Sequence, residues 1–303
     1  MKNDAVGTSH LPVLQSPDLN PHPPRLKFPA GACDSHAHVF GPRDIFPPAP
    51  NPLYLPPDVS SRDYERTLRT IGCERAVFVQ PAYYGTDNRA MVAAMKSGEL
   101  QYRGVAVIDD KTSDRELTDL HRSGVRAIRI SVTSPGLTME QISQKATRLA
   151  TRIRPFGWHL QFLVRISEYL WIEQIIAQST VVCVVDHFGF LPASDGVQAP
   201  GFDSLLRLAR LEHVWFKLIG YRSSAQWPLY PDVAPMTRAL IAAAPHRCLW
   251  GTDWPHTNIA HMPNDGDLAD AIGDWLGDEV VRHMVLVDNP ARLFGFDLSK
   301  GRS

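Results

Sequence analysis

Eight short runs rich in β-branched and aromatic residues recur along this chain, each followed by a segment with helical periodicity, and that rhythm limits the folds open to it. The runs are 34–39, 75–80, 104–109, 127–132, 159–164, 181–187, 214–220 and 248–253. Most are nearly continuous apolar stretches, which suits strands covered on both faces. Between them, 61–71 stops at Gly72, 87–97 begins at a Thr-Asp cap and stops at Gly98, and 113–123 stops at Gly124, as capped helices do. Further helices are expected over 139–154, 167–178, 203–211, 232–243 and 267–287. Strand then helix, eight times, implies parallel pairing through right-handed crossovers, so the expected fold is a single-domain (β/α)8 TIM barrel. A doubly wound open sheet is the alternative, but no Gly-x-Gly-x-x-Gly follows any strand. The 303 residues suffice for one barrel. Residues 31–303 are assigned to it. Residues 1–30, rich in proline and polar side chains, read as a flexible arm laid on the surface or disordered.

The first and last strands carry the most informative residues. His36 and His38 stand at i and i+2, a spacing that puts both imidazoles on one strand face. Asp253 ends the eighth run inside Gly-Thr-Asp-Trp-Pro-His, and barrel closure makes it a neighbour of the first strand. His-x-His on a first strand is the spacing of a metal pair in hydrolytic barrels. His187, after Asp186 at the end of strand six, is expected to alternate into the ring, with Asp186 pointing outward or bracing a neighbour. Asp253 suits a general base acting on water that attacks a carbonyl; His256, beyond the strand, is a weaker candidate. Arg129 and Lys217 are charges within otherwise apolar strands, costly to bury without partners. For Arg129 a substrate carboxylate is the favoured partner; for Lys217 a structural ion pair serves as well as catalysis.

Loops after the strands build active sites in barrels of this class. The loop 41–60 carries seven prolines, cannot be a helix interior, and falls where a lid would sit. Tyr54, Tyr83, Tyr84, Tyr221 and Arg222 belong to this face and suit hydrogen bonds to a polar substrate. A net charge of −1 provides no broad positive field for nucleic acid. No stretch approaches the ~20 apolar residues of a membrane span. The N-terminal segment lacks the order of a signal peptide, and the four cysteines form no Cys-x-x-Cys. A cytoplasmic protein is expected, its oligomeric state left open, a homo-oligomer included.

The motifs CDSHAHVFGP (33–42), YLPPD (54–58), YGTDN (84–88), Gly-Trp-His (157–159), VDHFG (185–189), WFK (215–217) and GTDWPH (251–256) together resemble the amidohydrolase-2 family. The likeness is closest to its branch of lactone hydrolases acting on pyrone dicarboxylates, sulfomuconolactone and sugar-acid lactones. It implies a barrel that opens a small anionic lactone with water. By this resemblance His36, His38 and His187 polarise the carbonyl or bind metal, Asp253 is the base, Arg129 and Arg222 grip a carboxylate, and Tyr54 is a lid tyrosine. The same four residues, His36, His38, His187 and Asp253, would hold a zinc ion, whose use the resemblance leaves open; no organic cofactor is implied. The departures bear on substrate: Phe190 replaces an arginine, no second basic residue follows Arg129, and Ala82 replaces a hydroxyl. Each lost charge-assisted hydrogen bond is worth ~1.5–3 kcal/mol, so a lactone with one carboxylate or sulfonate, or a sugar-acid lactone, is expected rather than a dianion. The alternatives are a metal-dependent decarboxylase of the same superfamily, against which the FGP and GTDN runs speak, and a lactone isomerase, whose relatives depart from the His-x-His and strand-eight aspartate intact here.

Overall fold

The eight strands pair in chain order and all in parallel: β1 (Cys33–Ala37), β2 (Arg75–Val79), β3 (Gln101–Ala106), β4 (Val125–Val132), β5 (His159–Val164), β6 (Cys183–Val185), β7 (Val214–Lys217) and β8 (Cys248–Leu249). The computed structural model describes residues 11–297. The ring closes between β1 and the chain just beyond β8. Ser35 N donates to Trp250 O at 2.9 Å, Asp253 N to His36 O at 2.7 Å and His38 N to Trp254 O at 2.7 Å. This is the (β/α)8 TIM barrel expected from the alternation.

Helices α1 (Ser61–Ile71), α2 (Arg89–Ser97), α3 (Asp114–Arg122), α4 (Met139–Ile153), α5 (Ile172–Ala177), α6 (Pro200–Leu208), α7 (Ala234–Ala243) and α8 (Asp265–Leu276) surround the strands. Local chemistry sets their ends. Ser60 with Asp63, Ser113 with Glu116 and Thr138 with Gln141 form reciprocal capping boxes that satisfy orphan N–H groups of the first turn. The helix expected over 267–287 is broken instead into α8, α9 (Glu279–His283), a π turn and α10 (Asn289–Phe294), because Gly277 adopts φ 69° and Asp278 caps a new start. The one expected over 167–178 shrinks to α5. Within the barrel Val77, Val79, Val105, Ala127, Val184 and Leu249 pack together, with Phe294 and Phe296 closing the base. A larger apolar layer joins strands to helices. All four cysteines are buried and free.

The described part of the N-terminal arm is laid on the surface. Leu14 N donates to Leu55 O and Leu55 N to Pro12 O, both at 2.9 Å. Arg25 pairs with Asp270 and Asp274 of α8, and Phe28 meets Trp250 edge to face at 5.1 Å. Residues 1–10 of the expected arm lie outside the described residues.

Closure depends on Gly251. A Cβ there would lie 2.8 Å from His36 N and 2.9 Å from Asp34 Oδ1, both fixed in the barrel wall. Gly251→Ala is expected to destabilise the fold by about 1–3 kcal/mol, the usual cost of overpacking, read as a lower midpoint in thermal unfolding. An unchanged midpoint would show that the wall relaxes.

Candidate active site

Strict alternation would place Asp34, His36 and His38 on one strand face, yet they divide between two. Asp34 pairs with Ala76 and Ala37 with Phe78, so three steps on β1 match two on β2. This one-residue bulge inverts the parity. Asp34 faces the helices, where it accepts from Tyr64 Oη at 2.8 Å, whereas His36 and His38 enter the barrel. Asp34 also accepts from His36 N at 3.0 Å, Thr252 N at 2.9 Å and the Thr252 hydroxyl, tying β1 to the segment after β8. Burial pushes its carboxyl up to about 6 against the opposing pull of these bonds.

Asp253 sits at the centre. Its Oδ1 is 3.5 Å from His36 Nε2 and 3.3 Å from His38 Nε2; its Oδ2 accepts from Tyr221 Oη at 2.9 Å and from Arg222 Nε. Burial alone would raise this carboxyl, but Arg222 foremost, then His187, His38 and His36, hold it well below the usual carboxylate range. The His36 ring centroid lies 5.1 Å from that of His38 and 4.7 Å from that of His187. Burial is the main cause that drives His36 and His187 well below the ordinary histidine range.

At the floor, of the two alternatives for Asp186, outward or bracing a neighbour, the outward one does not hold. Asp186 points inward: Gln161 Nε2 donates to its Oδ2 at 3.0 Å, and Arg129 Nε, His36 Nδ1 and Lys217 Nζ lie at 3.4, 3.5 and 3.8 Å. Alternation continues inward from Val184 to Asp186. His187 reaches the site only because β6 has ended and its φ of 50° turns the chain. Lys217 is fully buried, donating to Ser35 O at 2.9 Å and Gln161 Oε1 at 2.8 Å, with His36 Nδ1 at 3.3 Å. Its burial lowers it to about 8, against the pull of Asp186.

These residues fit a metal ion. His36, His187 and Asp253 are buried with one donor atom each within 4.8 Å of the others, and His36 Nε2, His187 Nδ1 and Asp253 Oδ1 have no hydrogen-bond partner. His38 Nδ1 engages Val79 O at 2.7 Å. That contact leaves Nε2 facing Asp253 Oδ1 at 3.3 Å.

A cavity of about 790 Å³ opens above this cluster on the C-terminal face, lined by His38, Tyr54, Arg129, His187, Arg222 and Asp253 among others. Two expected substrate contacts are redirected. Tyr84 does not line the cavity; it ends the tight turn Ala82–Tyr84 and its Oη accepts from Gly41 N at 2.9 Å, holding the proline-rich loop. Arg222 reaches the cavity but is engaged by Asp253 and by Thr257 O at 2.8 Å. Arg129 keeps its Nε without a hydrogen bond. His256 is buried outside the cavity lining, 3.2 Å from Asp265 and edge-on to Tyr221. Arg165 was not singled out from sequence, although it continues the inward parity of Gln161 and Leu163 and lines the cavity; carrying the alternation one residue past the strand would have found it.

Comparison with known proteins gives a consistent result. The chain is 33% identical over 305 residues to 4-sulfomuconolactone hydrolase of Hydrogenophaga intermedia, covering 99% of this chain and all of that one. It is 37% identical over 287 residues to 2-pyrone-4,6-dicarboxylate hydrolase of Comamonas testosteroni, covering 91% and 93%. The apo crystal structure of an Agrobacterium tumefaciens protein superposes with TM-score 0.79 at 30% identity, covering 90% of this chain and 99% of that one. The profile of a family described as Amidohydrolase matches residues 33–296, and the chain therefore belongs to the amidohydrolase family.

Proposed function

We propose that this protein hydrolyses a small anionic lactone, with Asp253 as the base and His36, His38 and His187 around the reacting carbonyl. The observation that carries this reading is Asp253 itself. One carboxylate oxygen is held by Tyr221 and Arg222 while the other, unpartnered, lies among buried imidazoles at the cavity floor.

In the proposed reaction Asp253 Oδ1 takes a proton from water as the water oxygen bonds to the lactone carbonyl carbon. The imidazoles stabilise the charge that develops on the carbonyl oxygen. The tetrahedral intermediate collapses by breaking the bond from that carbon to the ring oxygen, and Asp253 returns its proton to the leaving oxygen. The product is the ring-opened hydroxy acid, or the enol where the ring is a pyrone. Arg129, at the inner wall, orients a substrate carboxylate; Tyr54 covers the cavity from the proline-rich loop. A carboxylate as weakly basic as Asp253 suffices where the water is itself acidified, the chemistry that one zinc ion held by His36, His38, His187 and Asp253 would supply, together with polarisation of the carbonyl.

A spectrophotometric screen of muconolactones, pyrone carboxylates and aldonolactones tests both parts, run on metal-analysed protein with and without a chelator. The expected result is ring opening of at least one class, lost on chelation and restored by zinc, with one metal per chain. If no lactone opens, the hydrolase reading fails. Turnover by metal-free protein that a chelator does not touch removes zinc and leaves the imidazoles to polarise the carbonyl directly.

A further inference from the structure

The cavity wall built by β4, β5 and the turn after β6 carries a cation that the proposed reaction does not use. Arg165 stands just past β5, and its guanidinium lies over the Phe190 ring, 5.6 Å from the centroid. Its one ion pair, with Glu168 at 3.9 Å, joins two half-exposed side chains and is therefore weak. The aromatic face instead fixes where the charge sits without occupying its N–H groups. Next to it, Ser131 Oγ and Thr133 Oγ1 stand 3.0 Å apart, and both line the same cavity. Pairing of Ser131 with Leu163 puts Thr133 and Arg165 at the same height, two residues further out on their strands.

Arg129 begins this wall. Its position, paired with Gln161, is four residues below Arg165, about 13 Å along the strand, and both arginines line the one cavity. One guanidinium thus borders the reacting centre and a second, on the same wall as two hydroxyls, borders the mouth. Arg222 does not compete, being held by Asp253 and Thr257.

We infer that Arg165, seated on Phe190 and assisted by Ser131 and Thr133, is a specificity-determining residue that binds a second anionic substituent, carboxylate or sulfonate, on the lactone. This rests on the lactone-hydrolase reading and sharpens it. Phe190 is the platform on which the Arg165 charge rests. The substrate class becomes a lactone with two anionic groups, against the singly charged one expected from sequence.

The test compares two probes that differ by one carboxylate, 2-pyrone-4,6-dicarboxylate and 2-pyrone-6-carboxylate, on the wild type, Arg165→Gln and Phe190→Ala. Arg165→Gln is expected to lower kcat/KM for the dicarboxylate about tenfold, as loss of one charge-assisted contact at a solvent-facing site does, while changing the monocarboxylate less than about twofold. Phe190→Ala, which removes the platform, is expected to act in the same direction by about threefold. The Arg165 effect should shrink as salt is raised. Equal losses on both probes, or none on the dicarboxylate, would overturn the assignment. Calorimetric titration of both compounds into wild type and Arg165→Gln separates this from the reaction. If the wild type opens neither ring, the pyrones are excluded as its lactones, and the hydrolase reading is judged by the wider lactone screen. The affinity difference between probes, present in the wild type and abolished in Arg165→Gln, still upholds the anion site, and its absence rejects it.

Discussion

Asp253→Asn is expected to lower kcat/KM for lactone opening about a thousandfold or more, the upper part of the range for removing a positioned proton acceptor. The asparagine has the shape of the aspartate and keeps an oxygen for Tyr221, whose hydroxyl donates to Oδ2 at 2.9 Å. It cannot take a proton from water, and it leaves Arg222 facing a neutral amide in a fully buried position. The loss should fall mainly on kcat, because the proton moves only in the transition state. Steady-state kinetics on a variant shown by circular dichroism and thermal melting to be folded provides the measurement. Near wild-type turnover would remove Asp253 from the role of base, and the mechanism with it.

Asp34→Ala carries the largest expected effect on stability. Four buried donors converge on this carboxylate from His36 N, Thr252 N, the Thr252 hydroxyl and the Tyr64 hydroxyl. Removing it strands all four at the seam where the barrel closes. The expected cost is about 3–5 kcal/mol at neutral pH, as for breaking other buried charged networks, or a midpoint lower by roughly 10 °C in a chain of this size. The pH dependence has a definite sign. The folded carboxyl titrates at about 6 against an ordinary 3.8, so between those values the folded state binds more proton than the unfolded one. This contribution to stability is fully present below about pH 4 and is lost as pH rises through about 6. Lowering the pH from 7 to 5 should therefore widen the gap between wild type and Asp34→Ala in scanning calorimetry. A gap that narrows, or a midpoint shift under about 2 °C at pH 7, would show that Asp34 does not lock the seam.

The lock on the seam also marks where local sequence signals stop. The run 34–39 reads correctly as a strand, and His36 and His38 as a same-face pair, because a two-residue period is a property of the strand alone. Asp34 shares that period and would join them, yet the bulge opposite Ala76 and Phe78 sends it to the other face. Asp186 and His187 show the same limit from the other side. The end of β6 at Val185 and the left-handed φ at His187 bring two consecutive residues into one site, which no alternation rule allows. Tyr84 lies at the right end of the barrel and still misses the cavity, since the 3-10 turn at Ala82–Tyr84 directs its hydroxyl to Gly41.

What the sequence by itself determined is the eightfold alternation, and with it the barrel, the face on which the site forms and the pairing of His36, His38 and Asp253 across the seam. These follow from hydrophobic period, capping residues and motif order, all readable within a few residues or along the chain. Which carboxylate Arg222 holds, how Lys217, Gln161 and Asp186 share one buried network, and that Arg165 rests on Phe190 were decided only by the tertiary structure. Their partners stand 31, 56, 25 and 25 residues away in the chain, and each depends on strand register and on turns at strand ends. A buried charge takes whichever partner the packed backbone brings within reach, and that choice is not written in the spacing of residues along one strand.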